Sequence, residues 1–238
     1  MSYHGDAYFC GGYIYYSCYD RNSKKDVLYR MKPDGSKQER LVTLRQKSTG
    51  GNGITLVYGN SIYFNWWEFA NDGPEFASDQ NFKYMCRYNV NDRSQKYYKP
   101  YITEFTGGKY GGNHLMQYEH YKQYFVTASE GGDYCEIPKY VLNANTGKLV
   151  LIDKYAGHAR MRGKTVYYIR KYHNHFYLYS CNLQGKKQKK LAEFKGDNAL
   201  PAIISINQKY CKIVAYNYGK KYSKYQYFFA TGKLKKIK

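Results

Sequence analysis

Long apolar stretches and helical periodicity are both missing from this 238-residue chain. A transmembrane helix needs a run of about 18 or more apolar residues, so no membrane-spanning segment is predicted. The first residues, Met1–Asp6, have neither a basic region nor an apolar core, so no signal peptide is predicted in this chain. No stretch of about 12 residues keeps a helical period, which argues against helical repeats.

Acidic residues are scarce, with 18 Asp and Glu against 38 Lys and Arg and a net charge of +20. Such a charge attracts polyanions, including nucleic acids, anionic cell-wall polymers, acidic glycans and membrane surfaces. Lysines on outer strands would equally block edge pairing and keep the protein soluble. No RNA-recognition, KH or helix-turn-helix pattern is present, so specific nucleic-acid binding is not predicted.

Motifs for metal, redox and nucleophilic chemistry are also missing. The six cysteines form no C-x-x-C pair. They lie in strand candidates as small apolar residues, and one disulfide is possible without an assignable pair. There is no G-x-S-x-G elbow and no glycine-rich loop ending in G-K-S/T. His173 and His175 alone are too few for zinc, so neither a metal nor a cofactor is predicted.

Tyrosine is abundant, with 32 residues, and it favours strands with amphipathic surfaces. Short aromatic strands followed by Gly, Asn or Asp turns recur along the chain, as in Leu28–Gly35 and Leu178–Gly185. A glycine opens each repeat, and the repeats are about 40 to 60 residues long, a spacing typical of β-propeller blades. The five units cover residues 5–50, 51–111, 112–156, 157–195 and 196–238.

Each unit contains four candidate strands, which we name A to D. In the second unit they are Ile54–Tyr58, Ser61–Trp66, Phe82–Val90 and Gln95–Pro100. The pattern predicts an all-β fold, a β-propeller of five four-stranded antiparallel blades in a single domain over residues 1–238. The alternative is that the chain forms part of a six-bladed ring.

The strand Tyr13–Tyr16, followed by Leu28–Gly35, resembles a bacterial propeller family of unknown function. That family is related to TolB-like propellers and to the YWTD propellers of low-density-lipoprotein receptors. Its members are mostly secreted or surface proteins of Gram-positive bacteria and usually have six blades. The resemblance implies an extracellular or cell-surface location and supplies no catalytic residues.

In a propeller, the D–A and B–C connections share one face, and strand A lines a central channel. We interpret the glycine-led openings as D–A connections, which predicts a binding site on that face. If exposed, one of the two adjacent tryptophans could stack on a sugar or a base, whereas both could instead pack between blades. The candidate ligand-binding residues are Trp66, Trp67, Glu68, Asn113, His114, Glu130, His158, Arg160, Tyr172, His173 and Asn198.

The sequence is consistent with three different functions. The first is a monomeric, non-enzymatic binding module that recognises a glycan, peptide or protein at a bacterial cell surface. The second is a glycan-active hydrolase or lyase that uses Glu68, Glu130, His158 or Arg160. The third is an electrostatic adhesin for anionic cell-wall polymer, acting through its lysine-rich outer strands. The basic runs are Lys186–Lys190, Lys220 and Lys221 with Lys224, and Lys233–Lys238.

Overall fold

A computed structural model describes residues 2–3, 7–45, 50–69, 80–98, 113–129, 139–173, 175–195, 199–217 and 222–237. All the regular elements in these ranges are β-strands, which form five antiparallel sheets in sequence order. In the same ranges, no helix is long and apolar enough to cross a membrane. The predicted fold class, an all-β propeller of five four-stranded blades, is confirmed.

Blades 1 and 2 are formed by the first nine strands. In blade 1, β1 and β2 both pair with β3 and together occupy the strand A position. Blade 1 comprises β1 (Ser2–Tyr3), β2 (Tyr8–Cys10), β3 (Tyr13–Asp20), β4 (Lys25–Met31) and β5 (Glu39–Thr43). Blade 2 comprises β6 (Gly50–Tyr58), β7 (Ser61–Phe69), β8 (Gln80–Asn89) and β9 (Gln95–Tyr98).

Blades 3 to 5 each contain four strands paired in order. Blade 3 comprises β10 (Asn113–Tyr121), β11 (Tyr124–Ser129), β12 (Lys139–Asn143) and β13 (Lys148–Asp153). Blade 4 comprises β14 (Ala156–Arg162), β15 (Thr165–Tyr172), β16 (His175–Asn182) and β17 (Lys189–Lys195). Blade 5 comprises β18 (Ala199–Ile206), β19 (Tyr210–Asn217), β20 (Ser223–Phe228) and β21 (Lys233–Ile237).

The turns between the C and D strands use the residues expected of tight hairpins. In blade 1, Gly35 has φ +81° and its N–H donates to the Lys32 carbonyl at 2.9 Å. The Asp34 carboxylate accepts from the Ser36 N–H at 2.9 Å. A positive φ is easy only for glycine, so the Pro33–Gly35 sequence dictates this turn locally.

The strands form two compact units. The first comprises Met1–Gln117 and Ala144–Gly147, and the second Tyr118–Asn143 and Lys148–Lys238. The core of the first unit includes Leu28, Ile62 and Phe64, and the second unit has two core clusters, one around Tyr168 and one around Phe176. The single-domain organisation stays a prediction.

Several tyrosines are core residues rather than surface residues. Tyr63, Tyr88 and Tyr168 are fully buried. The Tyr63 hydroxyl donates to the Ala144 carbonyl at 2.7 Å within the first unit, and the Tyr88 hydroxyl donates to the Leu41 carbonyl at 3.4 Å. Buried tyrosine hydroxyls usually find such partners, and so the ring can fill a core position.

The cysteines within the described ranges are free thiols. Cys18, Cys86, Cys181 and Cys211 are buried, and Cys10 is half-buried. Cys135 lies outside the described residues. Burial raises the pKa of Cys86, Cys181 and Cys211 to about 12, and it also raises that of Cys18.

Candidate functional site

The eleven predicted site residues fall into three groups. Glu130 and Asn198 lie outside the described residues. Five others have described backbone positions in β7 or β10: Trp66, Trp67, Glu68, Asn113 and His114. The remaining four lie in blade 4 with described side chains: His158, Arg160, Tyr172 and His173.

The prediction that the glycine-led openings are D–A connections is wrong where the structure describes them. Gly51–Gly53 lies within β6, where Asn52 pairs with Trp66, and Gly157 lies within β14. Trp66–Glu68, predicted as a B–C connection, extends strand β7. Backbone pairing to the neighbouring strand overrides the loop preference of glycine, because the paired N–H and C=O groups need no side chain.

The pairing of β7 with β8 is irregular beside the two tryptophans. It shifts register between Trp66, opposite Tyr84, and Trp67, opposite Phe82. The additional residue of this β-bulge belongs to β8, so the two tryptophans remain consecutive residues of a regular β7 backbone. The expectation that one of them is exposed for ligand stacking stays a prediction.

Blade 4 brings the four described candidates onto neighbouring strands. Ala156 of β14 pairs with Arg170 of β15, so His158 lies towards the end of the sheet at which β15 finishes with Tyr172. His173 follows in the turn with φ +51°, and β16 returns from His175, opposite Tyr172. Strand pairing thus brings these residues to one end of the blade 4 sheet.

This end of the sheet carries an exposed aromatic and cationic surface, which we call the β15–β16 hairpin surface. Tyr172 is 63% exposed, and its ring contacts the His173 ring edge-to-face at 4.4 Å. The rings of His175 and Tyr177 stack with their centroids 6.2 Å apart. Together with Arg170, which pairs with Tyr177 across the strands, these residues define the surface: Arg170, Tyr172, His173, His175 and Tyr177.

Charged neighbours orient two members of this surface. Glu193 of β17 accepts from His175 Nδ1 at 2.8 Å and from Lys190 Nζ at 2.8 Å. Those contacts, the Lys190 hydrogen bond foremost, hold the pKa of Glu193 below its ordinary value. Lys190 also lies over the Tyr177 ring, 4.1 Å from its centroid. Ionised Glu193 therefore directs the imidazole Nε2 of His175 away from the carboxylate.

Arg170 is held by a second carboxylate. Its guanidinium lies 3.8 Å from the Asp153 carboxylate and 5.6 Å from the centroid of the Tyr155 ring. Asp153 is 8% exposed and also accepts from the Tyr155 N–H at 2.7 Å. The Asp153 carboxylate therefore anchors Arg170 beside the exposed Tyr155.

The two β14 candidates differ in environment. The His158 Nδ1 atom is buried and has no hydrogen-bond partner among the described residues. Burial, followed by the positive charges of Arg160 and Lys139, lowers the pKa of His158 to about 4. Arg160 donates from Nε to the Ile203 carbonyl at 2.5 Å. The imidazole is therefore neutral at pH 7.

Asn52 is the third residue of β6, as His158 is of β14, but its surroundings differ. Asn52 is 2% exposed, and its backbone N–H donates to the buried Asp26 carboxylate at 2.7 Å. Its side-chain Nδ2 donates to the Arg45 carbonyl at 3.2 Å, while Oδ1 has no partner in the described part of the chain. This position joins blades 1 and 2 through a carboxylate, whereas the charges that act on the pKa of His158 are positive.

Sequence reasoning left five members or neighbours of this surface out of the candidate ligand-binding residues: Arg170, His175, Tyr177, Lys190 and Glu193. The available signal was alternation in β16, where Phe176 and Leu178 are buried and His175, Tyr177 and Tyr179 are half-buried. Cross-strand register is needed to add Arg170 and Glu193, and the sequence pattern does not specify it.

Among residues with described positions, no cluster of three or more His, Cys, Asp or Glu could hold a metal.

No protein-family model matches the sequence, and no curated protein matches it. Among solved structures, Porphyromonas gingivalis dipeptidyl peptidase 4 is 11% identical, with 98% of this chain and 38% of that chain covered and a TM-score of 0.57. A structure from a study of two prolyl endopeptidases is 8% identical, with coverages of 97% and 33% and a TM-score of 0.53. TolB from Acinetobacter baumannii is 12% identical, with coverages of 75% and 40%, and its TM-score of 0.33 is too low to carry an argument.

These likenesses support the propeller fold and nothing finer. This chain spans less than two fifths of the length of the two peptidase structures. The coarse part of the sequence resemblance, a β-propeller, is confirmed, while the specific repeat family stays a prediction.

The prediction that the chain is not an enzyme is wrong as a conclusion from the fold. Two solved structures with TM-scores of 0.57 and 0.53 are peptidases by name. A propeller of this kind therefore occurs within enzymes, and the fold does not exclude a role in catalysis. At identities of 8 and 11%, the likeness shows the fold alone, and it shows no enzymatic activity for this chain.

Proposed function

We propose that this chain is a ligand-recognition propeller that binds a glycan, peptide or protein at a bacterial cell surface. The observation that carries the proposal is the exposed Tyr172 ring, which contacts the ring of His173. Aromatic rings with adjacent polar groups are typical contacts for sugars and for protein partners. The surface location follows from the family resemblance.

The composition of the β15–β16 hairpin surface favours recognition. It combines the exposed Tyr172 ring with the cation of Arg170 and the oriented imidazole of His175. Asp153 and Glu193 restrain those two polar side chains, so less conformational entropy is lost when a ligand binds. The surface is therefore prepared for a partner that offers both an apolar face and hydrogen-bonding groups.

The test is a binding screen of glycans, peptides and cell-wall polymers at low and high salt. Tyr172→Ala should weaken binding at least about tenfold, since an aromatic anchor contributes about 1.4 kcal/mol or more. Phe9→Ala is the matched control: Phe9 is 69% exposed, lies in β2 beside an A–B turn and should leave binding unchanged. Trp67→Ala examines the predicted extension of the site to blade 2.

Salt distinguishes this proposal from charge-driven adhesion. Ligand binding through Tyr172 should survive high salt, whereas adhesion through the lysine runs should fall steeply with ionic strength. Binding that disappears in salt and is unaffected by Tyr172→Ala would contradict the proposal. Each bound glycan and peptide should also be examined for cleavage by mass spectrometry, because the fold occurs in enzymes.

A further inference from the structure

The hairpin turns at one end of the second unit carry lysines and no carboxylates. Because the strands of each blade are antiparallel and paired in order, the A–B and C–D turns lie at the end of the sheet opposite to the B–C turn. Five such turns of the second unit, residues 121–124, 162–165, 182–188, 206–210 and 228–233, contain no Asp or Glu. They carry six exposed lysines, which we call the basic turn surface: Lys122, Lys164, Lys186, Lys187, Lys209 and Lys233.

The charge of these lysines is not neutralised by any described carboxylate. The ion pairs described in the second unit all use Asp153 or Glu193 and involve none of the six lysines. Asp153 is the last residue of β13, and Glu193 bonds to His175, the first residue of β16, so both carboxylates lie towards the other end of the unit. Cations of one sign without nearby carboxylates create a positive potential over this end.

Contacts between blades 4 and 5 bring their turns together. Arg162, at the A–B turn of blade 4, donates to the Gln208 carbonyl in the A–B turn of blade 5 at 3.0 Å. Its guanidinium also lies 4.3 Å from the centroid of the Phe229 ring, at the C–D turn of blade 5. The Phe229 N–H in turn donates to the Lys209 carbonyl at 3.1 Å. Three turns of two blades therefore form one connected surface.

Blade 3 adjoins the same surface. The C–D turn of blade 4 approaches blade 3 so closely that a Cβ atom on Gly185 would collide with the Leu151 carbonyl. Tyr121 and Tyr124, which flank Lys122 in the A–B turn of blade 3, pack against the core cluster that contains Met161 of blade 4. The cations are thus spread over neighbouring turns of three blades rather than along one strand.

We propose that the basic turn surface docks this protein on the surface of an anionic lipid bilayer. A plane of negative headgroups can contact cations from all three blades at once, whereas a linear polymer follows only one row of them. Clusters of four to eight lysines or arginines are typical of such binding, and each lysine near the bilayer contributes about fivefold to affinity. The proposal goes beyond the recognition function and does not depend on it.

The side chains on these turns favour headgroup contact over insertion or base stacking. Among the described residues, no exposed large apolar side chain lies on the five turns, so the surface has no anchor for the hydrocarbon layer. Binding to single-stranded nucleic acid usually needs open aromatic rings, and the guanidinium of Arg162 lies over the Phe229 ring. At the other end of blade 4, β15 finishes with Tyr172, so a docked protein presents the β15–β16 hairpin surface away from the bilayer.

The experiment is co-sedimentation of the intact chain with vesicles of phosphatidylcholine and phosphatidylglycerol in equal parts, and with vesicles of phosphatidylcholine alone. The chain should bind only the mixed vesicles. Binding should fall steeply between about 0.1 M and about 1 M salt, because the Debye length shrinks from about 10 Å to about 3 Å. No binding to the mixed vesicles at about 0.1 M salt, or equal binding to both kinds, would overturn the proposal. Tighter binding of inorganic polyphosphate or single-stranded DNA would overturn the bilayer assignment.

Two triple variants with the same change in net charge separate this surface from the charge of the whole protein. Affinity for the mixed vesicles should fall about a hundredfold when one lysine is neutralised in each of three turns, in Lys164→Gln/Lys186→Gln/Lys209→Gln. Affinity should stay close to that of the wild type in the control, which neutralises lysines at the other end of blades 3 and 4, in Lys154→Gln/Lys171→Gln/Lys195→Gln. Equal losses in the two variants would overturn the assignment to the turns. If the first triple variant does not fold, Lys164→Gln and Lys209→Gln alone should each weaken binding about fivefold, and unaltered binding in both would overturn the proposal.

The substitution Tyr172→Ala keeps this proposal distinct from the recognition function. It should leave vesicle binding unchanged, because Tyr172 lies at the opposite end of blade 4. If the mixed vesicles bind but the ligand screen finds nothing, the recognition function fails and the docking surface stands. Ligand binding that depends on Tyr172, without vesicle binding, overturns the docking surface and leaves the recognition function in place.

Discussion

At the scale of single residues, two buried tyrosines with opposite hydrogen-bonding states provide a matched comparison. Tyr63 and Tyr168 are both fully buried. The Tyr63 hydroxyl donates to the Ala144 carbonyl, whereas the Tyr168 hydroxyl has no partner within the described ranges. The same substitution should therefore affect stability differently at the two positions.

Tyr63→Phe should lower the free energy of unfolding by about 1–2 kcal/mol, because it leaves the Ala144 carbonyl without its donor. Tyr168→Phe should be neutral or stabilising by up to about 1 kcal/mol, because it removes an unsatisfied hydroxyl and keeps the ring stacked on Tyr179. Urea unfolding followed by circular dichroism measures both changes. Equal destabilisation of the two variants would contradict this assignment.

The second residue-scale prediction concerns ionisation on the β15–β16 hairpin surface. The Lys190 hydrogen bond is the largest cause of the lowered pKa of Glu193. Lys190→Met should therefore raise that pKa towards its ordinary value, since the carboxylate loses the partner that favours its charged form. A ¹³C NMR titration of the Glu193 carboxyl carbon measures the change. A lower pKa in the variant would contradict the role of Lys190.

At the scale of elements, the C–D hairpin of blade 4 closes tightly against blade 3. Gly185 has φ +66°, and a Cβ atom at this position would collide with the backbone carbonyl of Leu151. Gln188 in the same hairpin donates to the Ile152 carbonyl at 2.8 Å. This turn therefore needs glycine both for its backbone conformation and for the approach to β13.

Gly185→Ala should destabilise the protein by about 2–4 kcal/mol, from the positive φ and the collision with backbone together. Gly163→Ala is the control: Gly163 has φ +55°, but nothing lies within 4 Å of the position that its Cβ atom would take, so only the φ cost of about 1 kcal/mol applies. Thermal unfolding of both variants measures the difference. Similar losses at the two positions would show that the Leu151 contact is unimportant.

At the scale of the whole molecule, buried thiols report how the two compact units unfold. Cys18 and Cys86 belong to the first unit, and Cys181 and Cys211 to the second. Their raised pKa values keep the nucleophilic thiolate scarce, and burial also blocks access. Labelling of these thiols therefore requires local or global opening.

If residues 1–238 form a single domain, as the repeats predict, the four thiols should be labelled together in moderate denaturant. Pulse labelling with a maleimide, followed by peptide mass spectrometry, measures each rate, and Cys10 serves as the half-buried reference. Labelling of Cys18 and Cys86 well before or after Cys181 and Cys211 would contradict the single domain. Cooperative unfolding of one core predicts one common rate.

The strand plan can be predicted closely because it depends on local chemistry. Turn residues and aromatic alternation specify hairpins over a few residues, and so the predicted strands Gln95–Pro100 and Ser61–Trp66 lie near the observed β9 and β7. The errors at Gly51–Gly53 and Gly157 have one cause. Glycine favours loops, but a neighbouring strand can pair with its backbone regardless of side chain.

By itself, the sequence determined the all-β class, the five repeats, the hairpin turns and the positive charge, because each depends on composition or on neighbours along the chain. Only the tertiary structure decided which side chains meet. The charge of Lys139 lowers the pKa of His158 because β12 packs against β14. Arg170 joins Tyr177 and Glu193 through cross-strand register. Register and blade packing come from long-range burial of many residues, and no local pattern encodes them.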